Sequence, residues 1–226
     1  PDVKEFLRVS DQSRKSANVL RPELKGSLMN VIKLNHNSGQ KNCRIYEIAD
    51  TFLPQLDADK NPLPVERLQL ALGCEGNFPE LRGAVEQAVK CADKYATVEF
   101  RPTDLDWAQA AADIFINGQK TGTAGTVNKN VLKQFDLKDS TPSLAQIDFD
   151  HLLEIYNKDV TVQPIPKFPS ITRDLSIIVD EPTQWEKIEQ TINERKTEIL
   201  ETVGFAGIYR GKQIPKGKKS RSEEHT

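Results

Sequence analysis

Residues 113–127 read DIFINGQKTGTAGTV. Asn117-Gly118 is the dipeptide favoured in two-residue hairpin turns, where both central positions take positive φ. It sits between the apolar run DIFI and the threonine-rich QKTGTAGTV, so the stretch predicts two antiparallel strands joined by a tight turn. That hairpin decides the fold class, because it places the chain among antiparallel sheets and not among doubly wound ones.

Upstream, residues 19–39, VLRPELKGSLMNVIKLNHNSG, carry Leu20, Leu24, Leu28, Val31 and Ile32 at helical spacing. Pro22 suits a first helical turn and Gly39 a C-terminal cap, so one long amphipathic helix is expected. CRIYEIADTFL, 43–53, reads as a strand, with Tyr46 and Ile48 alternating with Ile45, Glu47 and Ala49. The polar stretch 54–64 is a loop, and Leu68, Leu70 and Leu72 make a period-two strand. A second helix is expected from about Pro79 to Tyr95, with Leu81, Val85, Ala88, Val89 and Ala92 on one face. Trp107 follows a turn expected from Pro102 to Asp106, where core or loop packing is favoured over stacking on RNA. Downstream of the hairpin, a short helix around Val131–Phe135 precedes the strand LAQIDFD, 144–150, and then HLLEIY. Strands joined by hairpins with helices between some of them indicate an α+β domain on a mainly antiparallel sheet.

VQPIPKFPS, 162–170, brings Pro164, Pro166 and Pro169 together, which forbids a helix and marks a linker. Beyond it ITRDLSIIVD is a strand, TQWEKIEQTINER a helix with Thr183 available as its cap, and ILETVGFAGIYR a second strand. This is the first half of a ferredoxin-like split unit, with the second half expected to be missing.

Composition narrows the function. Over 226 residues the chain is 37% hydrophobic and 28% charged, ordinary values for a folded protein, and its formal net charge is -2. A surface wholly committed to nucleic acid is excluded, so any such contact is a local patch. Cys43, Cys74 and Cys91, like His36, His151 and His225, are scattered without metal-ligand spacing. They fit a reducing compartment, and no apolar run reaches the length of a membrane span. The cytoplasm is the expected location. The chain opens Pro1-Asp2 and its one methionine is Met29, so it reads as an internal fragment.

FPSITRDLSIIVDE, 168–181, with YRGKQIPKGKKS, 209–220, closely resembles the ferredoxin-like anticodon-binding domain that closes bacterial phenylalanyl-tRNA synthetase β subunits. LRPELKGSLMNVIKLNHNSG with RIYEIADTF, then INGQKTGTAGTVNKNVLKQFDL and LAQIDFDHL, are similar to that family's synthetase-like domain. The resemblance covers nearly all of residues 14–220, in family order. It implies a catalytically degenerate class II synthetase-like domain over 1–160, a linker over 161–169 and a truncated anticodon-binding domain over 170–220.

The same resemblance implies a β-subunit part of phenylalanine-tRNA ligase that supports the α subunit in an α2β2 assembly and binds tRNA(Phe). ATP and magnesium are expected for the holoenzyme, and none is expected on this fragment. A working class II site needs an arginine on the strand after the long helix and a second after a glycine-rich strand. Ala49-Asp50-Thr51-Phe52 and Gln146 to His151 stand there instead, and acids and apolar groups cannot hold phosphates. Asp148 and Asp150 could form a general acid/base or magnesium pair, but capping of the following helix is the better account. No catalytic residue is assigned. The alternative is a free-standing RNA-binding module, or a single-chain synthetase, sharing the terminal domain.

Tyr209, Arg210, Lys212, Lys216, Lys218 and Lys219 surround Gly211, Pro215 and Gly217 on a turn between strands. Composition alone leaves open a phosphate-tracking loop or a lysine-protected sheet edge, and the resemblance favours RNA. Arg173-Asp174 reads as an internal ion pair or a polar contact to RNA, and the ion pair is favoured. After Ser220 the chain reads RSEEHT, without apolar alternation, which matches the in-frame translation of a common sequencing adapter. Residues 221–226 are therefore expected to be a non-native tail.

Overall fold

The computed structural model describes residues 7–9, 18–54, 63–76, 78–137, 140–157, 168–195, 197, 199–211 and 213–225, with side chains through Ser220. Most of the loop expected over 54–64, Pro164 and Pro166 of the expected linker, and Lys212 lie outside these residues. The chain divides into two compact units, Pro1–Val160 and Thr161–Thr226.

In the first unit, helix α1 (Lys25–Asn37) precedes strands β1 (Arg44–Leu53) and β2 (Val65–Glu75), followed by helix α2 (Phe78–Ala92). Strands β3 (Val98–Thr103), β4 (Ala108–Ile116) and β5 (Gln119–Val127) follow, then helix α3 (Lys129–Gln134), strand β6 (Pro142–Asp148) and helix α4 (Phe149–Glu154). The six strands form one antiparallel sheet in the order β1-β2-β6-β5-β4-β3. Asn117 and Gly118 take φ of 50° and 80°, and Ile116 pairs with Gln119, so the expected hairpin closes in two residues.

β2 and β6 are buried on both faces because successive side chains point to opposite sides of a strand. Leu70, Cys74, Ala145 and Ile147 pack beneath Leu81, Val85 and Val89 of α2, with Leu152 of α4. Ala71 and Leu144 face the other way, against Leu28, Met29 and Ile32 of α1 and Leu132 of α3. Each fully buried leucine or isoleucine contributes about 1.5–3 kcal/mol. β5 approaches β6 very closely: a Cβ at Gly122 would lie 2.2 Å from the Gln146 carbonyl oxygen.

Several local expectations shift. Pro22 lies before α1, since the Leu20 amide donates to the Leu7 carbonyl and the Arg21 carbonyl accepts from Phe52, holding the chain extended there. Gly39 has φ 79°, as a residue closing a helix requires. β3 takes in Pro102 and Thr103, the first two residues of the expected turn, while 104–107 remain a turn between β3 and β4; Pro102 is tolerated because β3 is an edge strand. Trp107 packs on the α1 side of the sheet, with the Lys25 ammonium 5.6 Å from its ring centroid. β6 ends at Asp148, so Asp150 belongs to a helix and not to a strand.

The second unit holds strand β7 (Arg173–Asp180), helix α5 (Trp185–Asn193), strand β8 (Val203–Tyr209) and strand β9 (Lys218–His225). β9 lies between β7 and β8 and is antiparallel to both. The expected break at Ser220 does not interrupt pairing: the ladder runs from Asp180↔Lys218 to Arg173↔His225. Strand pairing uses main-chain groups that every residue here supplies, so it does not require apolar alternation. The N-cap position of α5 is Gln184 and not Thr183, whose amide closes a turn onto the Asp180 carbonyl. Trp185 meets Phe205 at 5.4 Å between centroids, holding α5 against the sheet.

Two outcomes follow for stability. Gly122→Ala is expected to destabilise the first unit by about 1–3 kcal/mol, as overpacking does, whereas Gly83→Ala in the open middle of α2 is expected to stabilise it by up to ~1 kcal/mol, both read from denaturant melts. Among the described residues the second unit buries only Ile188, Lys219 and Ser220. Amide hydrogen exchange is therefore expected to be faster in β7, β8 and β9 than in β2 and β6.

Candidate nucleic-acid interface

The residues at the two stretches singled out in the sequence, 49–52 and 146–151, mostly make structural contacts. The Gln146 amide oxygen accepts from the Leu24 amide at 2.9 Å, at the start of α1, and its nitrogen donates to Gln69 at 3.3 Å. Thr51 is buried and its hydroxyl donates to the Arg67 carbonyl. Arg21 lies against β1 but pairs with Glu47 at 2.6 Å. Asp148 caps α4, accepting from the amides of Asp150 and His151 at 3.1 and 3.4 Å. Asp150 in turn accepts from the Leu68 amide at 3.4 Å.

Among the described residues no three His, Cys, Asp or Glu side chains converge where a metal could sit. Burial, reinforced by Glu75 and Glu80 respectively, pushes the Cys43 and Cys74 thiols above their ordinary range, which keeps them protonated and weakly nucleophilic.

The cations cluster elsewhere, between β8 and β9. Arg210 follows β8, Lys216 and Gly217 form the tip before β9, and Lys218 and Lys219 begin β9. Two main-chain bonds shape the loop, from Ile214 to Gly211 and from Lys218 to Pro215, and Gly217 takes φ 83°. Tyr209 is exposed, and its ring lies over Gly211: a Cβ there would fall 2.0 Å from the Tyr209 hydroxyl, so only glycine leaves the ring in place.

The sequence-derived residues separate by orientation. Lys216 is exposed and makes no ion pair or hydrogen bond among the described residues. Arg210 and Lys218 are about half exposed, the first paired with Glu181 at 2.6 Å and the second 3.4 Å from Asp180. The Glu181 hydrogen bond raises the Arg210 pKa above its ordinary value, so this group stays cationic. Lys219 is buried, and its ammonium donates to the Glu181 carbonyl, so it serves the turn. The ion pair expected between Arg173 and Asp174 does not form, because consecutive strand residues point to opposite faces.

Asp180 and Glu181 are the residues that sequence reasoning missed. Their only signal was an acidic pair ending one strand and a basic pair beginning another, and it becomes legible only when the register sets Asp180 opposite Lys218. Chemically the loop offers fixed positive charge beside an exposed aromatic ring. Groups of these two kinds are able to hold phosphates and to stack on bases, and neither is a catalytic group.

Residues 2–149 match the family model described as the phenylalanyl tRNA synthetase beta chain CLM domain, and residues 166–224 match the ferredoxin-fold anticodon binding domain. The phenylalanine–tRNA ligase beta subunit of Clostridium acetobutylicum is 29% identical over 98% of this chain, and that of Clostridium tetani 26% over 97%. The Lactococcus lactis beta subunit is 28% identical over 89% of the chain. The chain spans 28% of the length of each clostridial relative and 26% of the lactococcal one. With the CLM-domain match alone covering well over half of its residues, the chain belongs to the phenylalanyl-tRNA synthetase beta chain family.

Proposed function

We propose that this chain is a non-catalytic part of a phenylalanine–tRNA ligase beta subunit, one that supports the α subunit and binds tRNA(Phe) during ATP-dependent aminoacylation. The observation that carries the reading is the order of the two matched domains, CLM then anticodon-binding, along relatives that align with 97–98% of the chain. A six-stranded antiparallel sheet with helices on both faces supports a class II synthetase-like first domain. The proposed division runs at residues 161–169, the assembly is α2β2, and its compartment is the cytoplasm. Among the described residues no helix is long and apolar enough to cross a membrane.

ATP and magnesium belong, in this reading, to the whole ligase. The residues here do not fit them: the Gln146 amide ties α1 to the sheet, and the Asp148 and Asp150 carboxylates accept main-chain amides. The first domain therefore acts as a scaffold. In the second domain Tyr209, Arg210, Lys212, Lys216 and Lys218 meet RNA, with Lys219 holding the turn behind them. Phosphate contacts carry affinity without sequence, so discrimination rests on RNA shape and on bases stacked against Tyr209.

Purified alone, the chain is expected to give no phenylalanine-dependent ATP/pyrophosphate exchange, and robust exchange would overturn the scaffold reading. Replacing Lys216 by alanine is expected to weaken binding of a tRNA(Phe) transcript. The log–log salt dependence should become shallower by roughly one unit or less, with a similar loss for other tRNAs. Unchanged affinity and slope after alanine replacement of Arg210, Lys212, Lys216 and Lys218 together would remove the loop from the interface.

A further inference from the structure

The turn between β7 and α5 grips the basic loop at both ends. Arg210, where the chain leaves β8, donates Nε and Nη2 to one Glu181 oxygen at 2.9 and 2.6 Å. At the other end the Glu181 amide donates to the Gly217 carbonyl at 3.0 Å, and the Glu181 carbonyl accepts from the Lys219 ammonium. Beside it Asp180 lies 3.4 Å from Lys218. Glu181 thus makes two kinds of contact. Its main chain fixes the loop, while its carboxylate neutralises the cation best suited to bidentate phosphate binding.

We propose that the Glu181 carboxylate is a built-in competitor for RNA phosphate: it occupies Arg210 in the free protein and yields it when RNA binds, which restrains RNA affinity. This inference rests on the RNA-binding reading given above. The pair is exposed, with side chains 58% and 45% accessible, so it is weak enough to exchange in water. A cation already matched by a carboxylate adds little to counterion release, so Arg210 contributes less than an unpaired Lys216. Non-specific attachment to RNA is damped most, because it depends wholly on fixed charge. RNA that also engages Tyr209 keeps contacts that the carboxylate does not oppose.

Glu181→Gln separates the two contacts, since it removes the charge and keeps both main-chain bonds that place the loop. Its binding is measured on the full chain with a tRNA(Phe) transcript and a non-cognate tRNA, alongside Arg210→Ala, Lys216→Ala and the Glu181→Gln/Arg210→Ala double variant. The expected result is tighter binding of both RNAs, roughly threefold to tenfold at about 50 mM salt, with a salt slope steeper by up to about one unit. Arg210→Ala should then cost more in the Glu181→Gln background than in the native one. Asp180→Asn, which relieves the longer pair to Lys218, should change affinity in the same direction by less.

Weaker or unchanged binding by Glu181→Gln, in a protein that Lys216→Ala still weakens, overturns the competitor and leaves the RNA-binding reading standing. If neither the cationic nor the acidic substitutions alter affinity, both readings fall together.

Discussion

In each unit, a strand hydrogen-bonded along both edges is the constraint on which the remaining structure depends. In the first unit β2 and β6 lie side by side, each paired on both edges, and their alternating residues feed two cores, one beneath α2 and α4 and one beneath α1 and α3. The sheet can be that closely packed only where side chains vanish, as at Gly122 against the Gln146 carbonyl. In the second unit β9 takes the central place, although its residues from Lys218 on are polar. There the main chain carries the pairing, and apolar burial is sparse.

This contrast shapes what each unit can do. In the first, polar groups of the sheet are spent on structure: Gln146 of β6 on α1, Asp148 at the end of β6 on α4, and Thr51 of the edge strand β1 on β2. Gln146, Asp148 and Thr51 are thereby committed to protein partners and not free to hold a nucleotide, although the buried His151 Nε2 on α4 has no hydrogen-bond partner. In the second unit the accessible cations Arg210, Lys216 and Lys218 lie on or beside a loop whose two ends are tied to a single turn, with Lys219 buried behind them. Rigid anchoring with exposed cations suits a polyanion, whose phosphates need position more than chemistry.

Much of this was legible in the residues. Asn117-Gly118, the leucine alternation at 68–72 and the helical faces of α1 and α2 rest on local rules that tertiary packing reinforced. β3 was hidden because Pro102 reads as a turn residue, and only its place at the sheet edge makes it acceptable. β9 was hidden for the opposite reason: main-chain pairing leaves no hydrophobic signature in RSEEHT. Of the candidate site, the cations and Tyr209 were visible as a run. Their sorting into an exposed Lys216, a paired Arg210 and a buried Lys219 was not, because it depends on register and on Glu181 lying 29 residues from Arg210.

The central claim is that the β8–β9 loop meets RNA while the first unit supplies scaffold. Its most direct measurement is ultraviolet cross-linking of a tRNA(Phe) transcript to the chain, with the attachment sites mapped by mass spectrometry. Cross-links are expected on Tyr209 and on peptides spanning residues 209–218. Attachment confined to strands β1–β6, or to the β7 residues Ser176 and Ile178, with residues 209–218 unlabelled, would contradict the account.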